Sequence, residues 1–490
     1  MTRFLGLDVG TQGTKGLVID RERGTVVGRA ARSYGLIEGL PPGAAEQHPE
    51  TWWTAVREVV GELIASGSLA GERLGGIGVS GQQHGFVALD AYGQVIRPAK
   101  LWCDTSTVAE AREFSAAVGR NVPAGFTASK ILWLARREPE SFARLATVLL
   151  PHDYVNFRLS GQAWMEAGDA SGTGLFDARE RRFAPAEMAR IDPGLGAKLP
   201  VLVPPDAVAG ELSSLAAREL GLPAGVPIAP GGGDNMMSAI GSGAVRPGTW
   251  VLSLGTSGTV LTYSERPVID PRGRIAPFCD STGGWLPLLC VMNATGVTEE
   301  VHRAFERTHD LDALTREAER VPIGCEGLLF LPYLSGERVP DLPQATGTLL
   351  GMRPGSLAPG RLFRAALEGT SLNLAWGVER MKRLGLSISS VHLVGGGAKN
   401  VLWREILAAA LGVAVIPLAE SESAALGAAL QAAWVVRRET EGNLTIAEVV
   451  EPWIRPAGEA VVPVPEAAQR YAELLARFCG EVRRLHDGAD

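Results

Sequence analysis

The tightest constraint on this chain is a glycine–threonine turn that occurs twice. Residues 6 to 16 read GLDVGTQGTKG and residues 250 to 263 read WVLSLGTSGTVLTY, so Gly10, Thr11, Gly13 and Thr14 return as Gly255, Thr256, Gly258 and Thr259. In the first copy the turn lies between the apolar runs Phe4 to Leu7 and Leu17 to Ile19, a pattern that reads as a β-hairpin. The copies stand 245 residues apart in a chain of 490. A repeat at half length with the same hairpin grammar predicts a duplicated domain, with units 1–245 and 246–490.

The copies differ in charge. Counting 245 residues onward puts Ser253 in the place of Asp8 and Val260 in the place of Lys15, so both charged groups belong to the first copy alone. That asymmetry suits one nucleotide lying in a cleft between two related halves. Glycines let main-chain N–H groups turn toward a ligand, threonines add hydroxyls, Lys15 adds positive charge and Asp8 can hold a divalent cation. The set fits a magnesium-bound polyphosphate, with an ordinary glycine-rich hairpin as the alternative. Its spacing is neither GxGxxG nor GxxxxGK[ST], which removes the Rossmann and P-loop readings.

With 46% hydrophobic and 21% charged residues, the chain can bury two cores. The net charge of −7 is spread among interspersed acids and bases. A small-molecule partner is therefore expected, with no nucleic acid and no membrane, and a homodimer stays open. Five scattered cysteines without CxxC spacing imply a reducing compartment and no zinc site. The glycine loop comes too early for a signal peptide and no apolar run spans a bilayer, so the expected location is cytoplasmic.

Further motifs sit at the ends of expected strands. Residues 51–64 show helical periodicity, and a strand over 74–79 ends in SGQQHG before a second strand at 86–90. Gln82, Gln83 and His84 thus lie where open α/β sheets bind ligands, although a lone histidine there is more often structural. Asp104, in LWCDTST, can accept hydrogen bonds from hydroxyls or cap a turn. Thr127 is a candidate N-cap for the apolar helix in GFTASKILWL. In VPIAPGGGDNMMSAIGSG a strand runs into glycines, and Asp234 and Asn235 open a helix; Asp234 reads equally as a cap. Residues 242–249 suit a hinge. Near the end, VHLVGGGAKN gives strand, glycines and helix start. There the backbone of Gly396, Gly397 and Ala398 can lie flat against an adenine and Asn400 can hydrogen-bond its edge. ESESAALGAALQAAW reads as a packing helix without chemistry.

Taken together, these motifs resemble the FGGY carbohydrate kinases, a branch of the actin and hexokinase superfamily, over essentially the whole chain. The resemblance implies an α/β fold of two related ribonuclease H-like domains with an interdomain cleft for ATP and a sugar. Residues 125–134 match the first family signature, with Arg137 departing from its polar end, and 360–372 match the second, read as packing. LPHDYVNFRLSG and EAGDASGTGLFD are also similar to family segments, with Asp153 and Asp169 expected to be structural.

By resemblance, Asp234 is the general base and Asp8 holds Mg²⁺, directly or through water. Thr11, Gln12, Gly13, Thr14 and Lys15, with Gly255 and Thr256, bind the phosphates of ATP, and Gly296 lies near phosphate or ribose. Gly396, Gly397, Ala398 and Asn400 take the adenine, while Gln83, His84, Asp104 and Asn235 orient the sugar. The Gln-x-His-Gly loop is similar to the sugar-contacting loop of members acting on xylulose. The expected reaction is phosphorylation of a ketopentose at its terminal primary hydroxyl, D-xylulose foremost. Kinases of ribulose, fuculose or gluconate share this machinery. A non-catalytic sugar or nucleotide sensor is the rival of another class, against which stand Asp8 and Asp234. An ordinary aspartate, with a pKa of about 3.9, would start as a base without help.

Overall fold

Two sheets of one topology organise the chain, as seen in a computed structural model that describes residues 2–69 and 73–486. The first contains β1 (Thr2–Val9), β2 (Gly13–Asp20), β3 (Thr25–Ser33), β4 (Arg73–Gly81) and β5 (Pro227–Ile228). β1, β2 and β3 form an antiparallel meander, β4 lies parallel to β1 and β5 parallel to β4. The second contains β6 (Gly248–Leu254), β7 (Gly258–Thr262), β8 (Ala276–Cys279), β9 (Trp285–Val291), β10 (Ile388–Val394) and β11 (Ala414–Pro417). Here β6, β7 and β9 form the meander, with β10 and β11 parallel beside β6 and β8 added outside β9. The orders β3-β2-β1-β4-β5 and β9-β7-β6-β10-β11 are the same, which is the duplicated α/β fold expected from the repeat.

Both hairpins are buried on two faces, and this explains their nearly unbroken apolar runs. On the outer face of the first sheet, α1 (Pro49–Ala65) buries Trp52, Val56, Val59, Val60 and Leu63, extending the expected helix slightly at each end. A segment inserted between β4 and β5 builds its own small core around α2 (Thr127–Arg137), while α3 (Pro151–Ser160) buries Tyr154, Val155 and Leu159 in the core of the first sheet. The outer face of the second sheet is covered by α6 (Pro359–Arg383) and α7 (Val401–Leu411), after α5 (Thr295–Phe305). Residues 360–372 of α6 are mostly buried packing, as read from the sequence.

Between the sheets lie α4 (Asp234–Gly241) and α8 (Ser423–Glu441), in one core with Phe4 and Leu17 of the first sheet and Val251, Leu261 and Leu286 of the second. Their glycines allow backbone contact. A Cβ on Gly6 or Gly78 would stand 1.9 Å from the carbonyl oxygen of Ala425 or Ala428, and one on Gly427 would stand 1.8 Å from that of Met237. The alanine-rich helix without chemistry is thus the layer joining the halves. The turn from α4 into β6 passes through Gly243 and Gly248, at φ 81° and 92°, inside the expected hinge. Among the described residues no helix is long and apolar enough to cross a membrane.

Candidate active site

Strand parity aims the charged side chains. In β1 and β2, Phe4 and Leu17 point into the layer between the sheets, so Asp8 and Lys15, in step with them, point the same way beyond the start of α8. Asp8 pairs with Lys15 across the hairpin and with Ser80 of β4, whose hydroxyl donates to Asp8 Oδ1 at 2.7 Å. Lys15 Nζ lies 2.7 Å from Glu422, the residue before α8. The nearby charges of Lys15 and Glu422 act on Asp8 in opposite directions, and burial leaves its proton affinity above the ordinary range.

Asp234 is the first residue of α4, with Gly233 at the cap position, so its side chain does not cap the helix. Its Oδ1 accepts from the Asn235 backbone N–H at 2.8 Å and from Asn235 Nδ2 at 3.2 Å. Burial, then the charges of Asp8 and Asp169, push its pKa up to about 8. The free site therefore departs from the expectation of an unperturbed base. Two carboxylates whose proton affinities are both raised, that of Asp234 in part by the charge of Asp8, form a place that gains from a cation. No three His, Cys, Asp or Glu side chains converge as a metal cage among the described residues. The donor set therefore fits Mg²⁺, which takes one or two carboxylates and completes its shell with phosphate and water.

The loop after β4 reaches Asp234 through side chains. Asn235 Nδ2 donates to Gln83 Oε1 at 2.8 Å, Gln83 Nε2 lies 3.5 Å from Asp169 Oδ1, and Asp169 Oδ2 lies 2.8 Å from His152 Nδ1. His152 Nε2 is 2.9 Å from Asp153 Oδ1, out of hydrogen-bond line, and all three of His152, Asp153 and Asp169 are fully buried. Burial opposes a charged His152, but the Asp153 and Asp169 carboxylates hold its proton affinity well above normal. Asp169 thus does more than pack. Glu166 lies beneath it, with its pKa raised to about 7 by burial.

His84 adopts φ 64°, in the left-handed region, and its ring packs 4.6 Å from Phe126 and 5.8 Å from Phe278 of β8. Burial, then the charge of Lys130, lowers its pKa to about 3, so the imidazole is neutral. Its buried Nδ1 has no partner with hydrogen-bond geometry, although the Gly172 backbone lies close. Thr127 opens α2 without capping it; its hydroxyl instead donates to the His84 carbonyl at 3.2 Å.

Two expected ligand residues have other duties. Asp104 is fully buried: Oδ2 accepts from Ala45 N and Lys100 Nζ, and Oδ1 from the N–H and hydroxyl of Ser106. Those bonds fill its acceptor positions, so it anchors a loop and has none free for a sugar. Thr14 is buried on the far face of the hairpin, with its hydroxyl 3.1 Å from that of Tyr34. Tyr34 also donates to the Gly10 carbonyl, and Thr14 braces the turn rather than facing the cleft. Gly13 is needed because β3 crowds it: a Cβ there would lie 2.5 Å from the Arg32 carbonyl oxygen. Gln12 stands exposed at the turn. The Thr11 hydroxyl is bonded to Gln82 Oε1 and to Trp102 Nε1, each at 2.9 Å. Trp102, passed over in the sequence, is 43% exposed and is held beside the first hairpin turn by that bond to Thr11.

In the second half, Gly255, Thr256 and Gly296 come together. The N–H groups of Ala294 and Thr295 donate to the carbonyls of Thr256 and Gly255, and Gly296 packs on Thr256 at the start of α5. Gly395 and Gly397 press on Leu254, whereas Gly396 meets open space. Ala398 is buried beside them. Asn400 caps α7 by accepting from Trp403 N at 3.0 Å and donates to Thr315 at 2.9 Å, leaving one lone pair and one N–H.

The second turn is one residue tighter. Asp8 faces Lys15 in the first hairpin, but Ser253 faces Thr259, so Thr259 rather than Val260 occupies the place of Lys15. Val260 points into the outer core. Both charges remain peculiar to the first copy.

Comparison with known proteins agrees with this geometry. The N-terminal domain of the FGGY family of carbohydrate kinases matches residues 3–241 and its C-terminal domain residues 250–436. The xylulose kinase of Haemophilus influenzae is 37% identical over 447 residues, covering 88% of this chain and 90% of that protein. The xylulose kinase of Streptomyces rubiginosus is 37% identical over 489 residues, covering 97% and 95%. The crystal structure of xylulose kinase from Rhodospirillum rubrum superposes with a TM-score of 0.89 at 30% identity, covering 99% of each chain. The chain belongs to the FGGY family of carbohydrate kinases.

Proposed function

We propose that the chain transfers the γ-phosphoryl group of ATP to the terminal primary hydroxyl of D-xylulose, giving D-xylulose 5-phosphate. The observation that carries the reading is the linkage of Asp234 to the sugar loop through Asn235 and Gln83, opposite Asp8 in the layer between two like sheets. The relatives named xylulose kinase cover nearly the whole chain and favour this sugar over ribulose, fuculose or gluconate.

Asp234 accepts the hydroxyl proton. Gln83, His84 and Asn235 orient the sugar, with Trp102 beside them and without Asp104. Asp8 would hold Mg²⁺, which when bound supplies positive charge to the transferring phosphoryl group. Thr11, Gln12, Gly13, Lys15, Gly255, Thr256 and Gly296 line the phosphate side, the hairpins chiefly through backbone, and Lys15 exchanges Glu422 for phosphate. Gly396, Gly397, Ala398 and Asn400 take the adenine. The domain division remains 1–245 and 246–490, with a cytoplasmic setting and no claim on assembly.

A kinase assay over pentoses, pentitols and hexonates tests the substrate, with Asp234→Asn and His84→Ala testing the site. Asp234→Asn keeps the volume but cannot take a proton, so turnover should fall by at least ~10²-fold while sugar binding survives. His84→Ala should raise KM for D-xylulose and shrink its advantage over D-ribulose, with ATP affinity unchanged. Near-normal turnover in Asp234→Asn, or intact pentose preference with weakened ATP binding in His84→Ala, would refute these assignments.

A further inference from the structure

The cleft-facing rows of the two sheets differ in a way that the hairpins alone do not reveal. In the first sheet the row is Ser80, Asp8, Lys15 and Ala31; in the second it is Val394, Ser253, Thr259 and Cys290. The second row has no charge of its own. Over it lies Arg338, whose Nη1 is 3.8 Å from Cys290 Sγ.

Arg338 is presented by a rigid support. Glu337, 2% exposed, accepts from the backbone N–H groups of Met292 and Arg338, each at 2.7 Å, and from the side-chain amides of Asn293 and Asn373 at 3.0 and 3.2 Å. The peptide bearing Arg338 is thus fixed to the end of β9, while the guanidinium remains exposed. Among the described residues it forms no ion pair with a carboxylate. Its charge reaches across the cleft, since it contributes to lowering the proton affinity of His84 in the first half. An exposed guanidinium carried on a fixed backbone, opposite the sugar loop and without a carboxylate partner among the described residues, matches an anion with several oxygens, because its planar fork of donors fits phosphate.

We infer that Arg338 is a catalytic residue that binds the phosphoryl group in transit from the second half of the cleft, holding it on ATP and then as the phosphate of the ketose phosphate. This rests on the reaction proposed above. In that reaction the bond from the γ-phosphorus to the β–γ bridging oxygen breaks, the sugar's terminal oxygen bonds to that phosphorus, its proton passes to Asp234, and ADP leaves. Arg338 makes and breaks no covalent bond; it supplies positive charge where the duplication left none.

The test uses the full chain with Arg338→Ala and Arg338→Met, the latter keeping much of the stem. Thermal unfolding should match wild type, because the side chain is exposed. Turnover should fall ~10-fold or more, and the product-inhibition constant for D-xylulose 5-phosphate should rise ~10-fold or more, while KM for D-xylulose stays within about threefold. A product-inhibition constant and turnover within twofold of wild type would overturn the inference. So would a loss confined to KM for D-xylulose. If the wild-type protein phosphorylates no pentose, the proposed reaction fails and takes this inference with it; an active wild type with indifferent variants removes the inference alone.

Discussion

Burial, then the charges of Asp8 and Asp169, make Asp234 harder to ionise, while Asp8 is held up chiefly by its own burial. A general base must be unprotonated, so a raised pKa means that activity is lost as pH falls through it. The acid limb of kcat/KM for the sugar, which reports the enzyme free of that substrate, should lie well above the carboxylate range, toward pH 8, when ATP is held below its own KM. Asp169→Asn removes one of the two charges and should move the limb down. A limb near pH 4 that ignores Asp169 would mean that these carboxylates do not sense one another. The charge asymmetry between the hairpins gives a second comparison. Asp8→Ala should impair Mg²⁺-ATP use far more than Ser253→Ala, and equal losses in folded variants would make the two hairpins functional equals. The positions of Asp8 and Asp234 are readable from motif and strand end. Their charge states are not, because each depends on groups far away in the chain.

At the scale of elements, the hairpins and the helix-opening motifs are local signals, and the sequence carries them well. It fails where a side chain's duty is decided by a distant partner. Thr127 has the look of a cap, yet its hydroxyl goes to His84. Asp104 has the look of a free loop acid, yet Ala45 and Lys100 claim one of its oxygens. Offset counting also misassigned the counterpart of Lys15, since a turn shortened by one residue flips which side chain faces the cleft. The clearest case is α8, whose alanines and glycine make sense only against α4 and a sheet formed by the other end of the chain. Gly427→Ala should be strongly destabilising, by more than the ~1–3 kcal/mol of ordinary overpacking, because the new methyl would meet the Met237 carbonyl oxygen. Gly480→Ala, in the helix Pro465–Leu485 with open space around it, should be neutral or stabilising by up to ~1 kcal/mol. Thermal unfolding of the two variants checks this. Similar melting temperatures would show that the α4–α8 crossing can loosen without cost.

For the whole molecule, the halves are joined by the layer of α4 and α8 and by ion pairs at the surface, among them Lys15–Glu422 and Arg438–Asp206. Exposed pairs of this kind contribute only ~0–1 kcal/mol, so a ligand can exchange them. Small-angle scattering should show compaction with D-xylulose and a non-hydrolysable ATP analogue together; unchanged curves would mean that the cleft works without closing. The same layer bears on how the protein is made. The face of the first sheet that carries Gly6 and Gly78 is complete, apart from its cover, once the first half has been synthesised, but α8 begins only at Ser423. Roughly 180 residues separate the two events, about 10 to 35 seconds at typical translation rates. During that interval the nascent first half holds an open groove shaped for backbone and closed to water only by a helix not yet made. The species most exposed to misfolding and to chaperones is therefore a ribosome-bound chain that has passed its first half but has not yet reached Ser423 of its 490 residues.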